Sequence, residues 1–373
     1  MGLLRVILAL SVVLAHLGGF FGWTMAGGFA AVQMFYIISG FYMATILTEK
    51  YDPRKDIAVF YTNRSLRIYA AYFAVLAISL AAYYVMFAAG RGGWLQYVID
   101  NAGHIGGWGK LWLLFTNLFI VGQETTLFMT VDEGGLAYSS GAPGGPIPVW
   151  LMMPVPQAWT LSLELMFYAL VPFLARFRTP GLVAIVAASC ALRIAVYSAG
   201  FQNDPWLSRF FPHELGLFVL GMLGRRFYDA HIEKISRNAQ LIIVVAFFAI
   251  TLVMRTIMEA VDPNGIHVSS VIWPYYLSAV VVVPCLFHLT RKSKWDGKLG
   301  AFSYPVYLIH WIVLVFYDAF APRFDWPLAA SSFGWVRVLA CVAMTFALAW
   351  VIIVCVEGPM DRYRQRRAAA AIA

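Results

Sequence analysis

Apolar residues run through this chain in continuous stretches of near twenty, separated by short basic or glycine- and proline-containing connections. An α-helix needs roughly 20 such residues to cross about 30 Å of hydrocarbon at 1.5 Å per residue. A window of that size predicts ten spans, at about 4–22, 28–47, 70–89, 158–176, 181–199, 210–226, 239–258, 271–290, 301–320 and 337–356. A transmembrane barrel would instead show alternating segments of about ten residues. The first run is too long for a signal peptide, and no clear small-residue cleavage site precedes the second. Residues 90–157 break the pattern with Gly-Gly pairs, the Gly141–Pro148 stretch and a short apolar segment, Leu111–Val121. That segment is too short to span, and crossing there would invert every later loop. It reads as re-entrant or interfacial, within an outer loop long enough to be functional.

Composition agrees. Of 373 residues, 61% are apolar and 12% charged, against roughly 45–50% and 25% in soluble domains, and the mean hydropathy is +0.73. Disorder, collagen-like repeats, a disulfide scaffold and a nucleic-acid-binding domain are excluded. The expected fold is all-α, a polytopic transmembrane helical bundle of about ten spans. The net charge of +8 reflects basic loops. With the N-terminus inside, twenty of the 27 Lys and Arg fall on the inner side and six on the outer, so both termini are expected to be cytoplasmic. Residues 1–360 are expected to form one transmembrane domain, followed by a short basic cytoplasmic tail at 361–373. The four cysteines lie inside apolar runs without CxxC spacing, and the histidines lack ligand spacing, so neither disulfide nor metal is implied.

Ionisable side chains within these runs need a reason, since each costs about 2.5–3.5 kcal/mol on insertion scales. Arg5 and His16 are eleven residues apart, which brings both to one helix face, roughly 16–17 Å apart along the axis. Arg5 is then expected at the cytoplasmic edge and His16 near the bilayer middle. Counting along their runs puts Glu164 about 9 Å, His310 about 14 Å and Ser39 about 16 Å in, so these groups are expected at one depth with His16. Thr160, Glu164 and Tyr168 form an i, i+4, i+8 stripe, and Ser303, Tyr307 and His310 share a face. His213 and Glu214 sit nearer the outer surface. Plainer readings exist: Arg5 as a charge anchor, His16 as a helix–helix hydrogen-bonding group, Arg193 as a structural ion-pair partner, and Tyr304, Tyr307 and Trp159 as packing residues. Glu164 resists such a reading, because a carboxylate there must be protonated or paired. Together, two imidazoles, a carboxylate and a serine read as a site inside the bundle.

Arg64 and Arg67 stand at i, i+3 at the predicted cytoplasmic mouth of the third span. They are either a second anchor or a phosphate clamp, since paired guanidinium groups hold phosphate oxygens bidentately, with neighbouring aromatic rings able to stack a purine. At this point a pattern emerges. Arg5-x10-His16, Phe35-Tyr-Ile-Ile-Ser39-Gly40-Phe41, Arg64-x-x-Arg67-Ile-Tyr69, Trp159-Thr160-Leu161-x-x-Glu164, Phe218-x-x-Gly221-Met222, Ser303-Tyr304-Pro305-x-Tyr307-Leu308-x-His310 and Glu357-Gly358-Pro359 follow in order. The series resembles the acyltransferase 3 family of integral membrane proteins over nearly the whole chain. Ala70 replaces the usual proline, Thr160 the usual serine and Gly358 a typical basic residue, none of which removes an ionisable group.

The resemblance implies transfer of an acyl group, commonly acetyl from acetyl-CoA, to a hydroxyl of an extracytoplasmic glycan or glycolipid at the inner cell membrane. It assigns the donor's phosphates to Arg64, Arg67 and Arg5, with Tyr69 beside them. His16, neutral near pH 7, takes the acceptor's proton, and Glu164 orients the imidazole. Ser39, Tyr307 or His310 donates to the developing oxyanion. A covalent acyl-His16 is the two-step variant. The competing class is a proton-coupled transporter or exporter with His16, Glu164 and His310 as relay, weakened by the lack of an inverted repeat. A purely structural envelope protein has little use for buried charges at one depth.

Overall fold

Each predicted apolar run folds as a helix, because in lipid only intrahelical hydrogen bonds satisfy the backbone. The computed structural model describes residues 1–52, 55–132, 135–139, 146–261, 272–321 and 334–372. The readings on Arg54, Arg323 and residues 141–145 lie outside the described residues. In chain order the helices are α1 (Gly2–Leu17), α2 (Gly27–Glu49), α3 (Ile57–Ala88), α4 (Trp94–Asn101), α5 (Gly107–Phe119), α6 (Trp159–Leu174) and α7 (Thr179–Ser198). They continue with α8 (Trp206–Arg209), α9 (Phe211–His231), α10 (Arg237–Val261), α11 (Ile272–Thr290), α12 (Lys294–Phe320), α13 (Gly334–Ile352) and α14 (Gly358–Ile372). Among the described residues, eight helical segments are long and apolar enough to cross a membrane: α2, α3, Pro156–Leu174, α7, α10, α11, α12 and Gly334–Ala368. The chain is a multi-pass membrane protein. The other two predicted spans fold as α1, of only 16 residues, and α9, which carries His213, Glu214, Arg225 and Arg226.

Three boundaries differ from the hydropathy reading, each for a physical reason. The first helix stops at Leu17 rather than 22, because Gly18 takes the left-handed conformation (φ 83°) and closes the helix with its N–H on Leu14 O. The third begins at Ile57, well before 70. Its first turns are polar, but Phe60, Asn63, Arg64, Ile68 and Ala71 form a buried helical stripe. Arg64 and Arg67 are thus held on a helix and not in a loop. The expected tail at 361–373 is largely the helix α14, joined to α13 through a π-helical turn, Ile353–Glu357, and packed on α3.

The core is built around α1, α2, α9 and α12. At the crossing of α2 and α9 the two backbones touch. A Cβ on Gly40 would lie 1.8 Å from Phe218 O, and one on Gly221 1.9 Å from Ile37 O, so only glycine fits either place. A buried cluster pins the same helices: Arg193 Nη2 donates to Glu214 Oε1 at 2.8 Å, and Gln33 Nε2 donates to both Glu214 oxygens at 2.8 and 3.0 Å. Arg193 is therefore the ion-pair partner its position suggested. At the other end of α9, Arg225 bridges Glu49 of α2 at 2.6 Å. Asp296 of α12 caps α1, accepting from Gly2 N at 2.7 Å and Leu3 N at 3.0 Å and pairing with the Met1 ammonium.

The region after α3 is an appendage with its own small core, Ile105, Val131, Val149 and Met152, beside a three-stranded antiparallel sheet of order β2-β1-β3: β1 (Met129–Asp132), β2 (Gly135–Tyr138) and β3 (Ile147–Pro148). The short apolar segment lies in α5, whose last carbonyls are satisfied from the bundle. Tyr72 donates to Asn117 O at 2.5 Å, and Tyr69 donates to Phe119 O. Gly122 N donates to Ser162 Oγ of α6 at 2.9 Å. Its other face, with Leu111, Leu114, Phe115 and Phe119, is exposed. The end of α5 thus docks between α3 and α6 while its outer face is apolar.

Candidate active site

Five helices turn polar faces toward one cavity of about 280 Å³. Along α2 the spacing of Phe35, Ser39, Tyr42 and Ile46 keeps one stripe on it, and Thr160, Glu164 and Tyr168 of α6 do the same from the facing wall. Ser303, Tyr304 and Tyr307 come from α12, Arg64 and Arg67 from α3, and Arg5 from α1. Ser39 Oγ donates to Glu164 Oε1 at 2.8 Å, and the Tyr168 hydroxyl donates to the same oxygen. At the top, the Tyr307 hydroxyl lies 2.8 Å from Thr160 Oγ1 and donates to Gln157 O at 3.0 Å. At the bottom a second cavity of about 200 Å³ shares Arg5, Arg67 and Tyr304, and is closed by Glu357, Asp361 and Arg364. The polar path therefore runs from an arginine-rich mouth, past a carboxylate, to a hydroxyl pair.

One turn beyond Tyr307 the two imidazoles meet. His310, 2% exposed, sits below exposed His16 with ring centroids 5.1 Å apart, and Trp311 closes the side edge-on. Their hydrogen bonds assign the tautomers. Tyr307 O lies 2.6 Å from His310 Nδ1, and a carbonyl only accepts, so that nitrogen carries the proton. Neutral His310 then offers a lone pair at Nε2. Val12 O at 2.9 Å likewise requires a proton on His16 Nδ1, which is shared with His310 Nε2 at 3.3 Å. What remains is His16 Nε2, unprotonated and without a hydrogen bond among the described residues. That is the state a general base needs.

The predicted convergence at one depth is therefore met by two pairs and not by one cluster. Ser39 and Glu164 face the cavity, whereas His16 stands in the last turn of α1, about 21 Å from Gly2, and does not line it. Among the described residues Glu164 makes no hydrogen bond to His16; His310 holds that place. Arg5 and His16 share a helix but sit at different levels, about 16 Å apart along its axis, and only Arg5 lines the cavity. Tyr307 lies between the pairs, its ring 6.0 Å from that of His310. Tyr69 instead faces α5 through Phe119 O and is not among the residues lining either cavity. Missed by the sequence reading were Arg364 and Arg209. The latter stacks over Trp159 at 4.4 Å and pairs with Asp204 at 2.6 Å. In the appendage, burial raises the carboxyl pKa of Glu124, partly opposed by the hydrogen bond from Ser162.

An acyltransferase domain family model matches residues 1–354. Nodulation protein 10 of Rhizobium leguminosarum bv. viciae is 26% identical over 298 residues, which cover 76% of this chain and 71% of that protein. No solved structure matches.

Proposed function

The chain belongs to this acyltransferase family, the acyltransferase 3 family of membrane proteins, and from that premise we propose that it moves an acyl group, acetyl by default, from cytoplasmic acyl-CoA to a hydroxyl of an extracytoplasmic glycan or glycolipid. The reading takes ten spans in the inner membrane, with both termini on the cytoplasmic side, from the twenty-to-six bias of Lys and Arg. The observation that carries it is the cavity joining the arginine mouth to the level of Tyr307, one turn from the histidine pair.

The mouth suits a phosphorylated donor. Arg64 is 6% exposed, and its Nε has no hydrogen-bond partner among the described residues, so a buried donor awaits an acceptor. Bound there, acyl-CoA supplies an activated thioester. Arg64, Arg67 and Arg5 hold and orient its phosphates. Ser39 and Tyr307 place hydroxyls along the wall, and each donates to a developing oxyanion only by giving up its bond to Glu164 or to Gln157 O. Glu164, held by Ser39 and Tyr168, balances the positive charge of Arg5 and Arg67, both of which feel it electrostatically. His16 Nε2 takes the proton of the attacking hydroxyl, and Val12 O together with His310 Nε2 keeps the ring in the competent tautomer. The new oxygen–carbon bond replaces the carbon–sulfur bond, and the proton leaves with the thiolate. An acyl group carried briefly on His16 Nε2 uses the same lone pair.

The test is release of free thiol from acetyl-CoA by the purified full chain in lipid nanodiscs, dependent on an added oligosaccharide acceptor. Arg64→Ala with Arg67→Ala is expected to raise the donor KM more than it changes the acceptor KM. An unchanged donor KM refutes the clamp. Failure to bind CoA, together with solute flux driven by a pH gradient, overturns the transferase reading in favour of the proton-coupled transporter.

A further inference from the structure

Outside the part of the chain that the family model matches, residues 355–373, α14 brings an arginine to the donor mouth. Arg364 lines the second cavity beside Arg5 and Arg67, and Arg367 follows at i+3 on the same helix, hence on the same side. Arg64, Arg67 and Arg364 act electrostatically on one another. Holding guanidinium groups this close is unfavourable in the absence of a counter-charge. The protein supplies part of it: Glu164 lines the adjoining cavity with Arg5, Arg64 and Arg67, Glu357 and Asp361 line this one, and Asp361 already pairs with Arg364. Four guanidinium groups, Arg5, Arg64, Arg67 and Arg364, thus face three carboxylates.

The hydrogen bonding is incomplete in the same place. Arg64 Nε, Arg364 Nε and Arg367 Nη1 are buried and without a partner among the described residues. A guanidinium has five donors in a fixed fork, and three such forks with spare donors match an acceptor-rich multiply charged anion. A single carboxylate has too few oxygens. A phosphate group has enough, and it tolerates several arginines at once.

We propose that Arg364 and Arg367 of α14 join Arg64 and Arg67 in a phosphate-binding site, so that this terminal helix is part of the donor site. The proposal rests on the acyl-CoA reading for the source of the phosphate. An anionic lipid headgroup offers the same chemistry from the inner leaflet. In either case α14 clamps phosphate between itself and α3, and the orphaned donors are the groups that bind it.

Calorimetry on the full chain in neutral phosphatidylcholine nanodiscs tests this with CoA, pantetheine and inorganic pyrophosphate as probes. Arg364→Gln with Arg367→Gln is expected to weaken CoA and pyrophosphate about tenfold or more, as loss of charge-assisted hydrogen bonds should, and to leave pantetheine unchanged. Equal CoA affinity in the wild type and this variant overturns the proposal and leaves the transferase reading standing. If CoA and pantetheine both fail to bind the wild type but pyrophosphate binds through these arginines, the phosphate site stands and the donor reading falls. If only phosphatidylglycerol raises the melting temperature, and the variant abolishes that rise, the phosphate comes from lipid. Should the variant not fold, protection of Arg364 from phenylglyoxal by CoA or pyrophosphate in the wild type decides instead, and no protection by either counts against the site.

Discussion

The histidine pair makes a quantitative prediction through a double-mutant cycle. His16→Ala removes the bare Nε2 lone pair, and a positioned general base contributes about 10²- to 10⁴-fold, or roughly 2.7–5.4 kcal/mol at the barrier. His310→Phe keeps a ring in the same space but deletes the acceptor 3.3 Å from His16 Nδ1. A net neutral hydrogen bond is worth about 0.5–1.5 kcal/mol, so the loss should be about two- to tenfold. Because His310 acts only through His16, the double variant should be no worse than His16→Ala alone. The assay is kcat/KM for acceptor-dependent thiol release at saturating acceptor, with thermal melts to show that each variant is folded. Multiplying effects in the double variant would refute the coupling, and a folded His16→Ala protein with full activity would remove the base altogether.

Glu164→Gln keeps the shape but removes the charge facing Arg5 and Arg67, whereas Tyr168→Phe removes one of two hydrogen bonds to that carboxylate. The first should cost more activity than the second, and the reverse order in kcat would contradict the charge-balancing role. Gly221→Ala forces a methyl to within 1.9 Å of Ile37 O, so a destabilisation of about 1–3 kcal/mol is expected, read as a lower melting temperature in nanodiscs; an unchanged melt would contradict the close backbone contact. Glu124 titrates above the ordinary glutamate value of 4.5, so the folded state binds its proton more tightly than the unfolded. Stability should therefore fall as pH rises from 4.5 through the folded pKa. Glu124→Gln should flatten that slope, as melting curves between about pH 4 and 8 would show; an equal slope in both proteins argues against it.

Much of this site follows from helical periodicity alone. Thr160, Glu164 and Tyr168 were expected on one stripe, and all three line the cavity, because α6 is regular where they lie. Arg5 and Ser39 also reach it. Other features depend on contacts that no local pattern carries. Ser39 and Glu164 are 125 residues apart, and His16 and His310 are 294 apart. Which carboxylate or imidazole serves which partner is set by packing of α1, α2, α6 and α12. Hydropathy also misplaced ends. It does not weigh the left-handed Gly18 that puts His16 in a final turn, nor the amphipathic start of α3 that raises Arg64 and Arg67 onto a helix. It reads 361–373 as a tail for its charge, although Arg364 lines a cavity with Arg67 of α3. Tyr69 was grouped with Arg67 by proximity in sequence, while two residues turn a helix by 200° and point it away.

The seam where Gly40 and Gly221 bring two main chains together bears on how an acceptor or donor gets in. Backbone pressed on backbone leaves α2 and α9 no room to slide, so the wall bearing Ser39 is the stationary side of the chamber. Breathing that admits a bulky ligand is then expected of elements outside that seam, such as α3 and α14, which meet across like-charged arginines. The stationary wall of the chamber is thus set by the absence of two side chains.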